Sequence, residues 1–163
     1  MNWESWMLWG FVSTLLMTTM EFGGQALSFT RVDFPYMLGT IFTPDRERAK
    51  VYGFFVHLFN GWAFSLLYVL AFESWHQVSW WRGALIGVVH AAFVLLVVMS
   101  IMPGIHPRMA SEQNGPTANR QLEPPGILGL NYGIRTPVSM LLSHVVFGIV
   151  LGSFYQLGIH GHP

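Results

Sequence analysis

The sequence predicts an all-α, multi-pass membrane protein: one domain of 163 residues, built as a bundle of four transmembrane helices with a folded loop on one side. Three observations carry that prediction. Hydrophobic residues make up 52% of the chain and charged residues only 10%, whereas soluble domains carry about 25% charged residues. Four runs with at most one charge, 6–27, 51–72, 83–102 and 136–157, are 20 to 22 residues long, which matches the roughly 20 needed for a helix to cross a hydrocarbon core. None of them shows the period-two alternation of barrel strands. Finally, seven of the eight basic residues (Arg31, Arg46, Arg48, Lys50, Arg108, Arg120, Arg135) fall in the segments 28–50 and 103–135, on one side of the bundle.

Taken in order, the first run follows Met-Asn-Trp-Glu-Ser-Trp, which has no Lys or Arg and no small-residue cleavage pattern after it. It therefore reads as a retained span rather than a removable signal. Segment 28–50 contains the apolar string Phe34-Pro-Tyr-Met-Leu-Gly-Thr-Ile-Phe42, expected to lie at the membrane interface, and Thr43-Pro44-Asp45, expected to cap a helix entering the second run. A short connection, 73–82, leads to the third run. The last connection, 103–135, holds Pro103, Pro107, Pro116, Pro124 and Pro125 but also the apolar Gly126-Ile-Leu-Gly-Leu-Asn-Tyr132, so it is expected to fold as a lid rather than hang as a linker. By the positive-inside bias, the basic side with its two large connections should be cytoplasmic and both termini outside. Six of the seven Trp (Trp3, Trp6, Trp9, Trp75, Trp80, Trp81) lie toward the opposite side, as an interfacial aromatic belt would.

The expensive residues are the polar ones inside the runs: Glu21 in the first, His57 and Asn60 in the second, His90 in the third and His144 in the fourth. Ionisable groups at membrane depth normally face the bundle interior and mark a site or pathway. At about 1.5 Å per residue, Glu21, His57 and His144 lie about 9 to 12 Å in from the basic side, and His90 about 18 Å. Small residues recur on the same faces: Gly53, His57, Gly61 and Ser65; Gly83, Gly87 and Ala91; His144, Gly148 and Gly152. Such stripes let membrane helices approach closely, so the four groups are expected to converge.

Three chemistries fit a Glu/His cluster. Glu21, His57, His90 and His144 suit a transition metal ion (Fe, Cu, Zn or Mn), with Asn60 orienting a ligand. His57 and His144 at matched depth would alternatively hold haem b by bis-His ligation. The same groups would also serve as a proton relay or cation path. The structural alternative is polar packing between helices in a non-catalytic subunit. His106 and Glu123, in the lid, are candidate supporting or gating groups; Glu73-Ser-Trp-His76 and the tail residues His160 and His162 are weaker metal candidates. No catalytic residue is assigned. Zero cysteines exclude disulfides, thiolate metal sites, iron–sulfur clusters and Cys nucleophiles. There is no phosphate loop, zincin motif, nucleophile elbow or basic stripe, so neither NTPase, hydrolase nor nucleic-acid binding is supported.

The strings Met37-Leu-Gly-Thr-Ile-Phe-Thr-Pro-Asp45, Gly104-Ile-His-Pro-Arg-Met-Ala110 and Leu122-Glu-Pro-Pro-Gly126, with Ser143-His144-Val-Val-Phe-Gly148, run through nearly the whole chain. In these the sequence resembles a group of small prokaryotic four-helix membrane proteins with no assigned activity. The resemblance implies four spans in a prokaryotic cytoplasmic (inner) membrane and implies no ligand set. The expected partners are the lipid bilayer and either a second copy of the chain or a larger membrane complex, with electron transfer as the leading role and a small proton or ion transporter as an alternative.

Overall fold

A computed structural model describes residues 1–111 and 113–158. Among them the architecture is all-helical: α1 (Trp3–Ala26), α2 (Phe34–Gly39), α3 (Arg46–Trp75), α4 (Trp80–Phe93), a π-helical turn (Val94–Val98), α5 (Met99–Ile105) and α6 (Thr136–Phe154). Polar caps set most of the starts. Asn2, Asp33 and Asp45 each accept the backbone N–H three residues on, at 3.0, 2.9 and 2.9 Å. The expected cap at Asp45 is thus present, and α3 begins five residues before the apolar run it carries. At the far end α3 stops at His76, which adopts the left-handed conformation (φ 52°). α6 ends at Phe154 rather than at 157, because Tyr155 turns extended and its hydroxyl ties to Glu73 at 2.5 Å.

Among the described residues three helices are long and apolar enough to cross a membrane: α3, the continuous rod 80–105 formed by α4, the π turn and α5, and α6. α1 has the length but not the hydropathy. Ser5, Ser13, Thr14, Thr18 and Glu21 dilute it, and all of these are buried against the other helices while Leu8, Phe11, Leu15 and Phe22 face outward.

α6 packs between α1 and α4, α1 packs on α3, and α2 lies along α3. Small residues explain the closest crossing. A Cβ on Gly83 would collide with the Gly148 carbonyl, one on Gly87 with the His144 carbonyl, and one on Gly152 with the Ser79 carbonyl, so α4 and α6 touch backbone to backbone. The two glycine faces read from the sequence are therefore one interface. Gly39 and Gly53 do the same for α2 and α3, against the Ala49 and Pro35 carbonyls. For this reason the segment expected at the membrane interface is seated on α3, with Phe34, Pro35, Met37 and Gly39 buried and only Ile41 and Phe42 of its string well exposed.

The connection 103–135 is folded onto this end of the bundle. A single bridge joins Met109 to Leu122, and tight turns over Ile127–Tyr132 use positive φ at Gly126, Leu128 and Gly129. Met109 and Tyr132 pack with Val32, Phe34, Met37, Met99 and Met140 in one core, while Met17, Tyr68, Phe72, Phe147 and Leu151 form a second nearer the termini. Replacing Gly83 by Val should lower the thermal midpoint in mild detergent, at a cost of at least about 2 kcal/mol from overpacking. Gly23→Ala, where the added methyl meets nothing within 4 Å, should leave it unchanged or raise it by a helix-propensity gain of up to about 1 kcal/mol.

Candidate functional site

Between the two cores lies a cavity of about 110 Å³, and Glu21, His57, Asn60, His90 and His144 all line it. Helix contact supplies the convergence. α1 brings Glu21 and α3 brings His57 to their shared face, and the glycine crossing carries His90 of α4 against His144 of α6. Glu21, His57 and His144 are 7, 8 and 4% exposed, so their polar atoms must be satisfied by the protein itself or by what occupies the cavity.

The hydrogen bonds assign the imidazole protons. His144 Nδ1 stands 2.8 Å from the Met140 carbonyl, which only accepts, so Nδ1 carries the proton and Nε2 is a bare lone pair. Thr18 donates its hydroxyl proton to the Thr14 carbonyl (2.8 Å), so its oxygen accepts from His57 Nδ1 at 3.1 Å, and His57 Nε2 is bare as well. His90 Nδ1 pairs with the Tyr68 hydroxyl at 3.1 Å. In each imidazole, then, Nδ1 is engaged by the scaffold.

Glu21 faces His57 across 3.3 Å, from Oε2 to Nε2, yet Oε2 has no hydrogen-bond partner. Its other oxygen lies 3.5 Å from Ser143 Oγ, whose hydroxyl has the Met140 carbonyl nearer at 3.0 Å and stands 3.4 Å from His144 Nδ1. His90 and His144 meet edge to face, with ring centroids 4.6 Å apart, and Phe64 stacks on His90 at 4.7 Å. The groups thus form two pairs, Glu21 with His57 and His90 with His144, bridged by Ser143. Among the described residues no three of the His, Asp or Glu side chains form a ready-made metal cage.

The cavity reaches the outer surface of the bundle beside α3. Asn60 is exposed there, and Phe64, Val94 and Val98 are partly so. The π turn lies on this rim: Met99 N–H reaches five residues back to the Val94 carbonyl, and Val94 and Val98 face the cavity. Such turns widen a helix locally and recur at functional sites.

The lid candidates sit elsewhere. His106 is buried, but its Nε2 donates to the Met37 carbonyl (3.0 Å) and its Nδ1 accepts from Arg108 N–H (3.1 Å), which pins the lid to α2. Glu123 pairs with Arg31 at 3.6 Å on the surface, and its backbone carbonyl accepts from the Tyr132 hydroxyl at 2.5 Å. Neither lines the cavity. Glu73 is the last-turn carboxylate of α3 that holds the chain ends, accepting from Tyr155 Oη and Gly158 N–H (2.8 Å) with the terminal amine 3.7 Å away. His160 and His162 lie outside the described residues.

Thr18, Tyr68 and Ser143 belong to the site and were missing from the sequence reading. Each had a signal: Thr18 is one turn before Glu21, Tyr68 continues the Gly61, Ser65 stripe, and Ser143 adjoins His144. Hydroxyls at such positions are common in membrane helices, so their spacing alone does not single them out.

No family model, curated protein or solved structure matches this chain.

Burial holds the His106 imidazole below its ordinary range, with the Arg108 charge adding to it and the Met37 carbonyl opposing it. A folded-state pKa below the unfolded value of about 6.5 means that the unfolded chain binds the extra proton first. The stability this contributes is complete above that value and is lost as pH falls below it. Thermal midpoints measured at about pH 7.5 and 5.5 should therefore drop more on acidification in the wild type than in His106→Gln, whose amide can still donate to Met37.

Proposed function

We propose that the cavity binds a transition metal ion inside the membrane, with Glu21 and His57 as its first ligands and His144 and His90 completing the shell when the ion enters. The observation that carries this reading is the 3.3 Å separation of Glu21 Oε2 and His57 Nε2, which are both acceptors when Glu21 is ionised. Facing lone pairs repel unless a proton or a cation sits between them. Two ligand atoms each about 2.0–2.1 Å from a tetrahedral ion stand about 3.3 Å apart. The engagement of each Nδ1 by a carbonyl or hydroxyl is the outer arrangement that fixes the tautomer of metal-binding histidines.

A cavity of about 110 Å³ has room for an ion and one or two waters, each of which takes about 30 Å³. Ligands of macrocycle size occupy pockets of several hundred Å³, which favours an ion over haem b. The buried setting of the ligands, inside a bundle of apolar helices, suits electron transfer or support of a larger membrane electron-transfer assembly as the ion's role. α1 serves as the fourth span: its polar stripe faces the bundle and its outer face is apolar, so it is compatible with lipid despite its lower hydropathy. The basic side is then cytoplasmic by the positive-inside bias.

A second reading has its own observation. The contacts from His57 through Glu21, Ser143, His144 and His90 to Tyr68 form a chain of titratable or hydroxyl groups, which suits a proton path. Proton flux into liposomes that Glu21→Gln abolishes would favour it.

Protein purified in mild detergent should contain about one transition metal ion per chain by elemental analysis. The double variant Glu21→Gln, His57→Gln should lose at least tenfold of that occupancy while keeping its helical circular dichroism and elution volume. A folded wild type that takes up no Fe, Cu, Zn or Mn, even after incubation with each, would overturn the metal reading.

A further inference from the structure

The cavity holds a second class of donor that the carboxylate and imidazoles do not explain. Met17 of α1, Met102 of α5 and Met140 of α6 line it together with the three histidines. The chain has 9 Met and no Cys, so thioethers are its only soft ligands. All three are almost wholly buried, at 2, 5 and 1% exposure, and they come from three different helices. They therefore surround the space instead of forming a stripe on one element.

Charge narrows the choice of ion. Among the described residues Glu21 is the only acidic one lining the cavity, and no Lys or Arg lines it. A monovalent cation beside that carboxylate leaves the site neutral, whereas a divalent one leaves a net positive charge in a low-dielectric interior. Such an uncompensated charge is costly at membrane depth. Imidazole accepts Cu, Zn, Fe and Ni, but thioether sulfur selects Cu(I).

From these observations we infer that the cavity is a copper(I) site, in which two or three of the thioethers of Met17, Met102 and Met140 join His57 and take the place of His144 and His90 in the shell, with Glu21 beside it as the compensating charge. This inference rests on the metal reading above and specifies its ion. It also assigns a role to the apolar character of the pocket: a dry cavity of sulfur and imidazole donors holds Cu(I) without the water shell that a hard divalent ion retains.

The test is an anaerobic competition titration of the detergent-purified full chain, with bathocuproine disulfonate as the Cu(I) competitor and Co(II) and Zn(II) as divalent probes. The wild type should bind one Cu(I) at least a hundredfold more tightly than Co(II) or Zn(II). Met17→Leu with Met140→Leu, a volume-conserving pair that should keep the fold, should weaken Cu(I) at least tenfold and change Co(II) binding by less than twofold. Met99→Leu with Met109→Leu, buried in the same core as Met102 and Met140 but not lining the cavity, is the packing control and should leave Cu(I) binding unchanged. Equal or tighter binding of a divalent ion, or a Met17/Met140 variant that binds Cu(I) like the wild type, overturns the copper(I) inference while leaving a metal site intact. A folded wild type that binds none of the three ions overturns this inference, and the metal reading falls with it when Fe and Mn also fail to bind.

Discussion

Glu21 carries a carboxyl group into the interior of an apolar bundle, and the helices around it are arranged to meet that cost. Its two oxygens are buried among the helices, so one lies against the Ser143 hydroxyl and the other faces His57 Nε2. The neighbouring imidazoles are held in turn by Thr18, by the Met140 carbonyl and by Tyr68. At 7% exposure Glu21 Oε2 must share a proton or a cation with His57 Nε2, 3.3 Å away, so the charge state of one residue is tied to that of the other.

The geometry depends on glycine as much as on the polar groups. Where α4 crosses α6, the absence of side chains at Gly83, Gly87, Gly148 and Gly152 lets backbones touch, and only that approach brings His90 within ring contact of His144. α2 uses the same device at Gly39 and Gly53, which lowers Phe34 and Leu38 onto the cavity from the lid side. His106 then locks α2 to the lid through the Met37 carbonyl, so a residue remote from the cavity helps to hold its wall. The π turn at Val94–Val98 supplies the opposite effect, opening the rod where the cavity meets the bundle surface. Close contact at one edge and a local widening at the other together set a small pocket with a rim toward the apolar exterior.

Much of this was legible in the sequence for definite physical reasons. A buried charge in a membrane run is too costly to be accidental, so Glu21, His57, His90 and His144 stood out singly, and the rise per residue placed them at compatible depths. Glycine spacing on one face marked the α4–α6 crossing. The helix start at Asp45 followed from Thr-Pro-Asp ahead of an apolar run. Less could be read where the outcome depends on which partner a group meets. The seating of α2 on α3 is one case, because nothing local says that Gly39 will find the Ala49 carbonyl. His106 and Glu123 looked like supporting groups of the cluster because lid residues lie at the right end of the bundle, yet their hydrogen bonds go to α2, Arg31 and Tyr132.

By itself the sequence determined the helical class, the apolar runs and the small set of polar residues inside them, because these follow from transfer costs and from local backbone preferences that each segment carries alone. Tertiary structure decided the rest. It paired Glu21 with His57 and His90 with His144, set the ring tautomers through Thr18 and the Met140 carbonyl, and brought Met17, Met102 and Met140 from three helices to one cavity. Those are relations between residues as far as 123 positions apart, from Met17 to Met140. They depend on how closely and at what angle helices pack, and that is fixed only when all the small and large side chains of the interface are fitted at once.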